Sequence, residues 1–140
     1  MFIHFNIILM SYNLNWIKND VVITFEDDVN FEDITQANQI IYGSPKFDNM
    51  RYQIVDFQKV NHVSISEDEL DVIGTLERSA TIWNNEVKIA CVTTNNYIKE
   101  LFSEYAKAMQ STNWQCEIFD NYSDAEKWCK KSVDARVSVK

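Results

Sequence analysis

The sequence predicts an α/β fold: a mostly parallel, five-stranded mixed sheet carrying helices in the order β-β-α-β-α-β-α-β-α. Three observations predict it. Two alternating apolar runs flank Lys18-Asn19-Asp20, which reads as an opening hairpin. The β-rich run Arg51-Tyr52-Gln53-Ile54-Val55-Asp56 leads, through a polar stretch, to a sharply capped helix at Ser66. Two further apolar strands are each followed by a stripe at helical spacing, and such alternation implies parallel strands joined by right-handed crossovers.

The elements follow in order. Tyr12, Leu14 and Trp16 alternate with polar neighbours, as do Val21, Ile23 and Phe25, giving the two hairpin strands. Asn30 or Asp28 caps a helix with Ile34, Ala37, Ile40 and Ile41 on one face, and Gly43-Ser44-Pro45 stops it. Residues 51–57 have too little polar alternation for a surface strand and are placed centrally, with Asp56 near the C-terminal end and a loop over 57–65. Ser66 and Glu69 then have capping-box spacing, and Leu70, Ile73, Leu76, Ala80 and Trp83 form the expected buried stripe. Val87, Ile89, Cys91 and Val92 mark the next strand, and Ile98, Leu101, Phe102, Tyr105 and Met109 its helix. Trp114, Cys116, Ile118 and Phe119 mark the last strand, and Ser123 with Glu126 repeats the capping spacing before a short helix with Ala125, Trp128 and Cys129.

Residues 12–131 therefore read as one domain, a length at which roughly 68–70% of the unfolded chain's surface is buried. Residues 132–140 read as a frayed tail. Residues 1–11 are an N-terminal extension with two readings. Ile3, Phe5, Ile7 and Leu9 alternate as an edge strand would, through which a homodimer could form; alternatively the natural product starts at Met10. The opening stretch lacks the basic region and cleavage site of a signal peptide, and no apolar run reaches the ~20 residues of a membrane span.

The net charge of −8 disfavours nucleic acid, whose phosphates require a basic stripe. The three cysteines are widely spaced without a C-x-x-C pair, so neither a disulfide framework nor a zinc site is expected, and a reducing cytoplasm fits. Only two glycines are present, too few for a phosphate-cradling loop or a dinucleotide fingerprint, and no cofactor is expected. His4 and His62 are far apart, and the carboxylate runs lack the spacing of a calcium loop. His62 lies near Ser64 and Ser66, yet no nucleophile elbow or oxyanion loop accompanies them. No catalytic residue is assigned.

The order of elements, with Ile54-Val55-Asp56 closing the third strand and a capped helix about ten residues on, resembles the STAS fold of the anti-sigma-factor antagonists. Ile89-Ala90-Cys91-Val92, then Ile118-Phe119-Asp120 leading through Ser123-Asp124-Ala125-Glu126 to Trp128, is similar to small uncharacterised bacterial STAS-like proteins, whose fold is related to the CRAL-TRIO lipid-transfer domain. In the antagonists an aspartate ends the third strand, and a D-S-S-G-like segment presents a phosphorylatable serine at the next helix. Asp56 matches the first feature. Ser66 matches the second by position only, since Ile65 stands where another serine would be and Glu67 replaces the glycine. Glu67, Asp68 and Glu69 would also repel a phosphate there, so Ser66 is read as a helix cap.

The resemblance implies a non-enzymatic protein-interaction or regulatory module. Its expected contact surface comprises Asp56, His62, Ser64, Ser66, Glu67, Asp68 and Asp71, facing a partner with a basic patch. The alternative is a carrier of a lipid or another small apolar ligand.

Overall fold

The computed structural model describes residues 11–138, with side chains over 11–131. Both readings of residues 1–10 lie outside the described residues. The elements are β1 (Tyr12–Ile17), β2 (Asp20–Asn30), α1 (Phe31–Tyr42), β3 (Tyr52–Ser64), α2 (Glu67–Ala80), β4 (Lys88–Val92), α3 (Asn96–Ala108), β5 (Gln115–Phe119) and α4 (Tyr122–Ser138), with a 3-10 turn over Pro45–Asn49. The sheet runs β1-β2-β3-β4-β5; β1 is antiparallel to β2, and the remaining pairs are parallel. The expected fold class is the one observed.

Strand alternation separates two apolar layers. Ile23, Phe25, Ile89 and Cys91 point into the larger core beneath α1, α2 and α3. Val22, Tyr52, Ile54, Ala90 and Val92 point to the other face, where Ala125 and Cys129 of α4 cover them. Crossovers that step strand by strand in one direction with the usual right hand put their helices on one face. Without α4 the opposite face of the central strands would be bare. β4 is buried at every position, as a strand sandwiched between helical layers must be.

Asp20 fixes the register of the central pair. Its side chain is 2% exposed; Oδ1 accepts from the backbone N–H groups of Arg51 at 2.7 Å and Tyr52 at 3.2 Å, while Oδ2 accepts from Arg51 Nη2 at 2.7 Å. One carboxylate thus ties the start of β2 to the start of β3.

Several local expectations are corrected. Residues 57–64 are strand: β3 continues to Ser64, paired with a long β2 in which Glu26 opposes Lys59 and Asn30 opposes Ser64. Their polarity reflects a ribbon running past the end of β4, where Val63 is buried and most of its neighbours face solvent. Register shifts interrupt this ribbon, and Asp27 takes a positive φ of 57° at one of them, as bulges permit. Asn30, not Asp28, caps α1 in a reciprocal box with Asp33. Ser66 and Glu69 form the expected box on α2. The last helix starts two residues earlier than expected, with Asn121 Oδ1 accepting from the Asp124 N–H at 2.9 Å, so Ser123 is not its cap. That helix is also longer than expected, its backbone running to Ser138.

The stripe on α2 is corrected most. Ile73, Gly74, Glu77 and Ala80 are its buried residues, whereas Leu76 is 53% and Trp83 74% exposed. Gly74 permits the close approach to α3, since an added Cβ would lie 3.2 Å from Ala108 Cβ.

Replacing Asp20 with Ala removes the side-chain acceptor of two backbone N–H groups at the start of β3 and one buried partner of Arg51. We expect a loss of about 2–4 kcal/mol. A urea titration should show a lower midpoint with an unchanged slope; an unchanged midpoint would show that Asp20 does not hold the β2–β3 register.

Candidate functional site

Two regions are of functional interest: the surface along β3 and α2, which the sequence nominates, and a cavity under α2, which it does not. The nominated residues are spread out. Asp56 stands level with Thr24 and Val92 on the α4 side of the sheet, by alternation with Tyr52 and Ile54, and its Oδ1 accepts from the Gln58 N–H at 2.9 Å. At about 3.3 Å per strand residue, roughly 26 Å of chain separates Asp56 from Ser64. The aspartate and the capping serine are thus at opposite ends of the β3 extension.

His62, Ser64 and Ser66 are exposed. Ser66 Oγ accepts from the Glu69 N–H at 3.1 Å, and Glu69 Oε1 accepts from the Ser66 N–H at 3.0 Å, which is the geometry of a cap. His62 lines a cleft with Asn61, Val63, Asn95, Tyr97 and Ile98. Among the described residues no hydrogen bond joins His62 to Ser64 or Ser66. Glu67, Asp68 and Asp71 are exposed on the first turns of α2, and among the described residues none of them forms a salt bridge.

The same helix presents an apolar surface. Val72 is 45% and Leu76 53% exposed on its flank, and Ile82 is 80% and Trp83 74% exposed in the turn after it. Successive helical residues are rotated by about 100°, so with Ile73, Glu77 and Ala80 inward Val72 is turned outward, while Leu76 lies at the edge of the buried stripe, about 100° round from Glu77.

Beneath α2 lies a cavity of about 90 Å³. Phe25, Val55, Phe57, Leu70, Leu101 and Phe102 are among its apolar walls, and Asn38, Gln53, Glu77 and Tyr105 supply its polar groups. Glu77 is 6% exposed. Its Oε1 accepts from Tyr105 Oη at 2.5 Å and its Oε2 from Asn38 Nδ2 at 2.9 Å. The Tyr42 hydroxyl also hydrogen-bonds Glu77 and accepts from Gln53 Nε2 at 3.4 Å. One carboxyl therefore joins α1, α2 and α3. Burial pushes its pKa above the usual carboxylate range, against the three donors that favour the ion.

This cavity is far below the roughly 300–1,000 Å³ of sites that hold drug-sized ligands, so it gives no support to a lipid carrier. Sequence reasoning missed Glu77 and its partners. The available signal was position: Glu77 is four residues from Ile73 and three from Ala80, inside the apolar stripe.

The thiols show no reactive character. Burial pushes Cys116 and Cys129 up to about 12 and Cys91 higher still. Among the described residues no three metal-ligating side chains cluster, and no helix is long and apolar enough to cross a membrane.

The arrangement of elements defines a STAS-like fold. Two solved structures carry the comparison further. The anti-sigma factor antagonist SpoIIAA, in its unphosphorylated form, superposes with a TM-score of 0.56 at 9% identity, over 91% of this chain and 99% of that one. An uncharacterized protein of the DUF3478 family with a SpoIIAA-like fold, from Shewanella loihica PV-4, gives a TM-score of 0.50 at 11% identity, over 85% of this chain and 92% of that one. What is shared at these identities is the fold. No family model matches the chain, and neither does any curated protein.

The raised pKa of Glu77 has a sign that can be measured. The folded protein binds this proton more tightly than the unfolded chain does. Its contribution to stability is therefore fully present below about pH 4.3 and is lost as pH rises through the folded value. Relative to Glu77→Gln, the wild type should lose stability from about pH 4 upward, by at most about 1.4 kcal/mol per pH unit. Paired urea titrations across this range check it; a gap that stays flat or moves in favour of the wild type contradicts it.

Proposed function

We propose that the protein is a non-enzymatic interaction module that docks a basic, amphipathic partner helix on the outer face of α2. The observation that carries this reading is the exposure of Val72, Leu76, Ile82 and Trp83 on and just after the helix whose first turns carry the exposed carboxylates of Glu67, Asp68 and Asp71. A water-exposed apolar patch rimmed by charge is the usual form of a docking surface. Val72 and Leu76 are one turn apart, a spacing suited to a helix laid alongside. The carboxylates at one end would orient a basic partner and speed its encounter.

Ser66 caps the helix that carries this face, whereas His62 lines a cleft with Asn95 and Tyr97 and Asp56 lies at the other end of the β3 extension. The reading is supported by the absence of assembled catalytic groups around His62 and by thiols held in the neutral form. A reducing cytoplasm is the compartment that fits three unpaired cysteines.

The test separates folding from docking. Because their side chains project into water, Leu76→Ser with Trp83→Ser should change stability by no more than about 0.5 kcal/mol. The same pair, and separately the charge reversals Glu67→Lys, Asp68→Lys and Asp71→Lys, should each abolish crosslinking to the partner that the wild-type chain captures in lysate of its native source. Undiminished crosslinking in both variants would place the docking surface elsewhere.

A further inference from the structure

From a separate feature, the cavity under α2, we infer a binding site for a small primary amine with a branched aliphatic body, its ammonium group seated on Glu77. Three properties of the cavity lead there. Its walls are apolar almost throughout, and its few polar groups converge at Glu77, which is the general form of a small-molecule site. The Glu77 carboxyl is buried, and two of its lone-pair positions are taken by Tyr105 and Asn38, with Tyr42 close by. An ionised carboxyl has about four such positions, so a further donor can be accepted.

Charge narrows the ligand to a cation. Hydrogen bonds from two tyrosines and an asparagine stabilise an anion without neutralising it, and among the described residues no cationic side chain forms a salt bridge with Glu77. The neighbouring Arg78 is directed elsewhere, with Nη1 donating to the Ala108 carbonyl at 3.2 Å and Nη2 to Thr75 Oγ1 at 3.1 Å. A buried carboxylate without a counter-ion is costly, and removing that cost favours a bound ammonium. Volume narrows the body. A 150 Å³ apolar cavity holds the six carbons of benzene, so about 90 Å³ holds about four non-hydrogen atoms, and a four-carbon amine seats fully only as the partly buried walls shift. Leu70, Leu101 and Phe102 are only partly buried, and displacing their side chains would open a way in.

Isobutylammonium chloride is the probe, with isobutanol as the neutral match and sodium chloride as the ionic control. Titrated into the full-length chain and followed by methyl and aromatic NMR, the amine should produce saturable shifts at Ile73, Leu101 and Tyr105 in the millimolar range. Isobutanol should bind at least about tenfold more weakly. Leu101→Phe, which fills the cavity, should abolish the shifts, and Glu77→Gln should remove the preference for amine over alcohol. If Glu77→Gln does not fold, Leu101→Phe and the alcohol comparison carry the test. No saturable shift at these residues, equal binding of the alcohol, or undiminished binding to Leu101→Phe would overturn the inference. Failure here leaves crosslinking through the outer face of α2 unaffected, because Val72, Leu76, Ile82 and Trp83 do not line the cavity.

Discussion

The inward placement of Glu77 sets the rotation of α2 and puts a carboxyl on the cavity beneath it. A buried carboxyl is tolerated only when hydrogen bonds replace its lost hydration, at stakes of several kcal/mol. Asn38 from α1 and Tyr105 from α3 supply those bonds, so the helix between them is oriented by its neighbours on both sides. Arg78 reaching the Ala108 carbonyl, and Gly74 packing close to Ala108, reinforce that orientation from the α3 side. With residue 77 inward, Val72 is turned away from the core, and Leu76, about 100° round from Glu77, stands 53% exposed at the edge of the buried stripe.

The long β2–β3 ribbon supplies the second constraint. By carrying the chain beyond the end of β4 before α2 begins, it puts distance between Asp56 and Ser66 and makes room for a helix that rests on α1 and α3 over a cavity. Asp56 and Ser66 therefore stand at opposite ends of the β3 extension within a STAS-like fold. Fold and function are separable in this way, because sites are grafted onto a scaffold by local changes such as strand length.

Much of this architecture was legible in the sequence because local signals agreed with the tertiary outcome. Ser66 with Glu69 marked a helix start, Gly43-Ser44-Pro45 a stop, and Ile89 to Val92 a buried strand, and each stands where expected. The failures share a physical cause, which is that polarity was taken for exposure and apolarity for burial. Residues 57–64 are polar because their ribbon lies mostly in solvent, yet they pair as strand. Leu76 and Trp83 are apolar yet exposed, and Glu77 is charged yet buried, because partners from α1 and α3, remote in sequence, compensate it. At the last helix two overlapping capping patterns competed, and Asn121 with Asp124 prevailed over Ser123 with Glu126. The cavity had no sequence signature, since its walls come from six separate elements.

A STAS-like scaffold with a solvated acidic helix start, an adjoining apolar face and a polar-floored cavity is therefore organised around the orientation of one helix. Hydroxyl-radical footprinting of the purified chain tests that orientation residue by residue. Leu76 and Trp83 should be oxidised at rates close to those of the unfolded chain while Ile73 is strongly protected. Protection of Leu76 and Trp83 together with oxidation of Ile73 would show α2 turned the other way and contradict the account.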